Sequence, residues 1–232
     1  MASFELGVQL GADAIELDVH QSRDGHLIVM HDPKVSRTTN GRGHVKDMTL
    51  AEIKQLDAGA WFDEQFRGER VPTLIEVLDW VKGRTPLIVE IKGDPQPAIG
   101  IEEKIVKHLR DYALLDDTLI ISFHHPALRR IKELEPRLIT AISYLAQLID
   151  PVAAVRAANA NGALGHASCW TPETVTQVRA AGIAALTWYT EKFTPEGMQF
   201  LMDLGLDGIL IDYPGQLREY IQHASSLPQG GM

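Results

Sequence analysis

The sequence predicts an α/β fold: a TIM-type (β/α)₈ barrel lacking its first strand, hence seven barrel strands, with a β-hairpin and loop inserted after the acid-bearing strand. Three observations predict it. Short β-rich runs alternate with amphipathic stretches from about residue 13 onward; AIELDV, PLIVEI, TLIIS, LITAIS, ALGHA, IAALTW and DGILI supply seven strands; and the chain opens on a helix-like SFELGVQL with no strand before it. A Greek-key fold would lack the repeated helical periods. A doubly wound sheet would carry a Gly-rich phosphate turn after its first strand, and that is missing too.

Taken in order, the opening segment reads as helix and AIELDV as the first strand. The turn SRDGH then returns the chain into LIVMH, an apolar run that pairs with that strand as a hairpin. TTNGRG lacks the spacing and the Lys of a phosphate loop and reads as a turn, and TLAEIKQL reads as a short helix. Helices are expected near residues 73–82, 98–113, 126–135, 150–160, 172–181, 195–204 and 215–223, several opened by Thr or Asp with Pro next, as at Thr171-Pro172 and Thr194-Pro195. No Ser/Gly-rich linker divides them, so residues 1–232 read as a single domain.

Composition narrows the function. With 45% hydrophobic and 23% charged residues the chain is ordinary globular material, which excludes disorder, collagen and disulfide scaffolds. A net charge of −9 speaks against a nucleic-acid or anionic-membrane partner, so any phosphate must be met locally. The single cysteine, Cys169, fits a reducing compartment, and neither a membrane-length apolar run nor a signal pattern is present. A cytoplasmic protein without stable membrane insertion is expected.

Strand parity then concentrates charge. In AIELDV, Glu16 and Asp18 share one face, and in PLIVEIK the same parity puts Glu90 with Lys92. Strand ends on one rim of a barrel surround one site, so Glu16, Asp18 and Glu90 crowd three negative charges together. Each acid alone reads as a solvated strand end or half of a salt bridge; together they favour a hard divalent cation, Mg²⁺ or Ca²⁺. His31 ends LIVMH beside the acid pair, where an imidazole reaches substrate, and Lys92 reads as a partner of Glu90 that also meets a phosphate oxygen. Asp32 reads as a turn residue before Pro33. Weaker candidates are Ser122 and Trp188 at a pocket mouth, Trp188 equally as a core aromatic, and Asp212 as a helix cap.

These residues carry a family resemblance. ELDVHQSRDGHLIVMHD, then RTTNGRG, VPTLIEVL, VEIK, SF, TW and GLDGILIDYP, resemble in order the glycerophosphodiester phosphodiesterase family over nearly the whole chain. The resemblance implies a divalent metal on Glu16, Asp18 and Glu90, a catalytic His31, a phosphate-binding Lys92, and substrate-pocket positions at Ser122, Phe123 and Trp188. The implied reaction is hydrolysis of a small-molecule glycerophosphodiester, such as glycerophosphocholine, to an alcohol and glycerol 3-phosphate. The family's first strand, bearing His-Arg-Gly, and its following Pro-Glu-Asn-Thr loop have no counterpart here. Three expectations follow from that departure: impaired turnover, a second proton-transfer role open to His124, His125 or His166, and self-association through unpaired sheet edges. The alternative is a catalytically inactive barrel that binds a phosphorylated polyol.

Overall fold

The computed structural model describes residues 1–191 and 194–226. Its centre is an eight-stranded sheet of β1 (Ile15–Gln21), β2 (Leu27–Val29), β3 (Leu87–Ile91), β4 (Thr118–Ser122), β5 (Ile139–Tyr144), β6 (Gly162–His166), β7 (Ala184–Tyr189) and β8 (Gly208–Ile211), ordered β2-β1-β3-β4-β5-β6-β7-β8. Seven strands run parallel in chain order. The exception is β2, which folds back antiparallel on the end of β1 through Val19↔Val29, His20↔Ile28 and Gln21↔Leu27, as the hairpin reading required.

The helices are α1 (Ala2–Gln9), α2 (Leu50–Ile53), α3 (Leu74–Val81), α4 (Ile101–Asp111), α5 (His125–Leu134), α6 (Pro151–Ala157), α7 (Pro172–Ala180), α8 (Pro195–Asp203) and α9 (Pro214–Ser226). The starts of α6, α7 and α8 follow the Thr/Asp-Pro signals. Thr171 accepts from the Thr174 amide, Asp150 from Ala153 and Thr194 from Gly197, each satisfying an amide that has no partner inside the helix. Helix α4 shows why such segments cover a sheet: Ile101, Ile105, Val106 and Leu109 form one fully buried stripe at helical spacing.

The sheet has two apolar faces. One packs Val19, Val89, Ile120 and Ile142 beneath the helices. On the other, Ile121, Ala141 and Leu164 meet Ile88, Leu119, Leu186, Trp188 and Leu210 in one cluster. A flat sheet would hold Ile88 of β3 and Leu210 of β8 five strands apart, so the sheet must curl around this inner core. Among the described residues no strand pair joins β8 to β1, and β8 is half-buried throughout. No described helix is long and apolar enough to cross a membrane.

Candidate active site

Strand alternation builds the site. In β1, Ile15, Leu17 and Val19 are buried against the helices, which turns Glu16, Asp18 and His20 to the opposite face. In β3, Val89 and Ile91 pack on the helix side and Glu90 points the other way. The parallel register makes Asp18 and Glu90 direct neighbours, with Glu16 one pleat earlier. The ligand oxygens of Glu16, Asp18 and Glu90 therefore all lie within 4.8 Å of one another.

Lys92 is the local counter-charge. Its Nζ lies 3.0 Å from Asp18 Oδ1 and 2.7 Å from Glu90 Oε1. Burial, then the charges of Asp18 and Glu90, holds the Glu16 carboxyl well above its ordinary range, and Asp212 adds to that field. Burial also raises Glu90, against the pull of Lys92. For Lys92 burial acts to lower the pKa, but Asp18 and Glu90 outweigh it and keep the ammonium charged. Three ionised carboxylates and one ammonium leave two negative charges in a poorly solvated volume. That remainder, on hard oxygen donors, fits one Mg²⁺ or Ca²⁺.

Directly after β2, Met30 donates its amide to the Asp18 carbonyl at 3.0 Å, so the next residue, His31, leaves the sheet beside the acids. Its exposed imidazole bonds through Nδ1 to Asp32 Oδ1 at 2.8 Å. Arg37 grips the same carboxylate with Nε at 2.6 Å and Nη2 at 2.8 Å. Asp32 is thus not merely a turn residue. Arg37 and His31 hold its carboxyl far below the ordinary range, so it accepts the Nδ1 proton and leaves Nε2 of His31 free. Buried His20, kept neutral by desolvation, bonds through Nε2 to the His31 carbonyl at 3.2 Å.

A cavity of about 400 Å³ adjoins the acids, bordered by Glu90, Lys92, Pro95, Gln96, Phe123 and His124. Its floor needs Gly93, where a Cβ would lie 2.6 Å from the Gln96 backbone. The loop after β3 is pinned from outside, with His44 Nδ1 at 2.8 Å and Lys46 Nζ at 3.2 Å from Asp94 Oδ2. Phe123 is half-exposed and meets Trp188 edge-on at 6.4 Å. Trp188 in turn packs on His166 at 4.4 Å and within the inner core, as the core-aromatic reading expects. Ser122 sits differently: fully buried, it donates to the Ile91 carbonyl at 2.8 Å and accepts from the His124 amide at 3.0 Å. It braces the loop that presents Phe123 and His124.

The remaining histidines separate cleanly. His125 is bonded to the Ser143 carbonyl, and His166 to Ser168 and Glu191, whereas the buried Nδ1 of His124 has no partner among the described residues. In TTNGRG, the Thr39 hydroxyl donates to the Val35 carbonyl at 2.7 Å and accepts from the Gly41 amide, confirming a turn. Three residues escaped the sequence reading. His20 continues the parity of Glu16 and Asp18, and Asp32 adjoins His31, so each carried a signal; nothing in the sequence pattern pairs Arg37 with Asp32.

Comparison with known proteins gives a consistent picture. The model of the glycerophosphoryl diester phosphodiesterase family matches residues 1–216. A glycerophosphodiester phosphodiesterase of Caldanaerobacter subterraneus subsp. tengcongensis is 39% identical over 218 residues, 94% of this chain and 89% of the relative. One from Bacillus subtilis is 37% identical over 230 residues, 91% of this chain and 78% of the relative. Among solved structures, an Oleispira antarctica phosphodiesterase in complex with the product sn-glycerol-3-phosphate superposes with a TM-score of 0.86 at 30% identity, covering 95% of this chain and 90% of that one. A glycerophosphodiester phosphodiesterase from Agrobacterium tumefaciens gives 0.81 at 30% identity, covering 94% and 91%.

Proposed function

The chain belongs to the glycerophosphoryl diester phosphodiesterase family, a family of enzymes, and on that premise we propose that it hydrolyses small glycerophosphodiesters to an alcohol and glycerol 3-phosphate with a divalent cation as cofactor. The observation that carries the reading is the convergence of Glu16, Asp18 and Glu90 within 4.8 Å, with Lys92 alone paired against them among the described residues. A cation on these three carboxylates supplies Lewis-acid charge neutralisation for the phosphoryl oxygens.

The chain's own residues supply the rest. Lys92, kept protonated by Asp18 and Glu90, meets a phosphoryl oxygen at the edge of the larger cavity. Phe123, backed edge-on by Trp188, supplies the apolar part of its rim. His31 moves a proton at Nε2, because Nδ1 is committed to Asp32. Ser122 contributes through the backbone that it braces. The free, buried thiol of Cys169 supports a reducing, cytoplasmic setting.

Release of glycerol 3-phosphate from glycerophosphocholine, abolished by a chelator and restored by Mg²⁺ or Ca²⁺, is the result expected. Turnover indifferent to the chelator would remove the metal from the proposal, and no release with either ion would remove the activity. Asp32→Asn replaces the acceptor that fixes the His31 tautomer and is expected to lower kcat by about 10-fold to 10²-fold with KM little changed. Steady-state kinetics check this, and an unchanged kcat would deny Asp32 its positioning role. The sheet ends on β2 and β8, and β2 covers only the Val19–Gln21 end of β1; these open edges among the described residues support self-association. Sedimentation velocity is expected to show concentration-dependent oligomers, and a monomer at all concentrations would contradict it.

A further inference from the structure

A second cavity, of about 160 Å³, is lined by His31 itself and lies between β2 and the inserted loops. We propose that it is the subsite for the leaving alcohol, and that it selects a small, uncharged, hydroxylated group such as glycerol. The proposal rests on the hydrolase reading above.

Proton delivery sets the direction. A leaving alkoxide needs a proton, and the leaving and attacking oxygens lie roughly in line across phosphorus. The larger cavity holds Glu90 and Lys92 but not His31, whereas the smaller one holds His31 and none of the three acids. With Nδ1 bonded to Asp32, Nε2 of His31 remains to protonate the departing oxygen, so the alcohol belongs on this side. Atoms balance: the P–O bond to the alcohol breaks, water oxygen bonds to phosphorus and releases one proton to solvent, the alcohol leaves carrying the proton from His31, and solvent returns a proton to His31.

The walls set the chemistry. Val29, Met30 and Pro72 are apolar, while Trp61, Arg37 and Thr38 supply the polar and aromatic contacts. Trp61 is held in place. Its indole N–H donates to the Ala58 carbonyl at 3.0 Å, so the ring has only carbon faces left to offer. The loop beneath it is rigid, because the Asp57 carboxylate accepts from the amides of Gly59 (2.9 Å), Ala60 (2.9 Å) and Gly68 (2.7 Å). At Gly59 a Cβ would overlap the Phe66 carbonyl at 1.8 Å, which fixes the close approach of the two turns.

Arg37 uses Nε and Nη2 on Asp32, leaving Nη1 to donate to a hydroxyl. No carboxylate lines this cavity, and a choline headgroup has no hydroxyl to accept from the free Nη1, so a hydroxylated alcohol gains a contact here that choline does not. Volume adds a limit. At about 30 Å³ for a water-sized atom group, the space takes roughly five such groups, the three carbons and two free hydroxyls of a glycerol whose third oxygen is bonded to phosphorus.

Two measurements test this. The ratio of kcat/KM for glycerophosphoglycerol over glycerophosphocholine is expected to exceed one in the unaltered protein and to fall about tenfold in Trp61→Ala. A ratio that favours choline, or one unmoved by the substitution, would overturn the proposal. Binding is read without turnover by tryptophan fluorescence in the first seconds after mixing with Mg²⁺ present. Glycerophosphoglycerol, but not glycerol 3-phosphate, is expected to quench the signal, and the quench is lost in Trp61→Phe, a variant that keeps the aromatic packing. Equal quenching by both compounds, or a quench retained in Trp61→Phe, would overturn the assignment. Failure to release glycerol 3-phosphate from either diester would instead strike the hydrolase reading, and the fluorescence result would still decide the subsite.

Discussion

Replacing His31 with asparagine is expected to lower the rate of glycerol 3-phosphate release by about 10²-fold to 10⁴-fold, the usual contribution of a general acid–base group. The side chain is 65% exposed and its only side-chain partner among the described residues is Asp32, so the substitution removes chemistry without opening the core. Asparagine can still donate to Asp32 but carries no proton in the useful pH range. The melting temperature should therefore stay within a degree or two of the parent while kcat collapses. A loss smaller than tenfold would deny His31 the proton transfer.

Glu16→Gln is expected to have an equally large effect through a different term, and with opposite signs for the two forms of the protein. The Glu16 carboxyl titrates well above its ordinary value of 4.5 because burial and the charges of Asp18 and Glu90 oppose its ionisation. Between that ordinary value and the raised one, the folded chain binds more protons than the unfolded chain. The slope of stability against pH is then negative, so the metal-free protein loses stability as pH rises through the raised value. Glutamine carries no charge and removes that penalty, so metal-free Glu16→Gln should be more stable than the parent near pH 8. The same substitution removes a ligand. Magnesium at 100 times its dissociation constant should stabilise the parent by about 2.7 kcal/mol, and that gain should shrink to nearly nothing in the variant. Thermal melts at pH 5.5 and pH 8, with and without magnesium, check both signs. A parent protein that magnesium stabilises equally at the two pH values would contradict the coupling.

Much of this site was legible in the sequence because strand parity is a strict code. One glance at AIELDV and PLIVEIK assigns Glu16, Asp18 and Glu90 to a single face, and the register places Asp18 opposite Glu90 as that reading required. The hairpin that carries His31 was equally legible, since a Gly-containing turn between two apolar runs has few alternatives. Ser122 was expected at the pocket mouth; it lies one residue out of step with Ile121 of the inner core, and the structure ties its hydroxyl to backbone groups. The grip of Arg37 on Asp32 was not legible: it spans an irregular loop, where neither period 2 nor period 3.6 constrains which side chains meet. The second cavity was hidden for the same reason. Trp61 reaches it from a 57–68 turn held by Asp57, a contact set by amide geometry rather than by hydrophobic pattern.

Calorimetric titration of the metal-free chain with Mg²⁺ or Ca²⁺, beside the Glu90→Gln variant, tests the whole account most directly. The expected result is one divalent ion bound per chain, tighter as pH rises and with proton release, and binding weakened at least tenfold in the variant. No saturable binding, or binding that the variant leaves untouched, would mean that Glu16, Asp18 and Glu90 do not hold a cation.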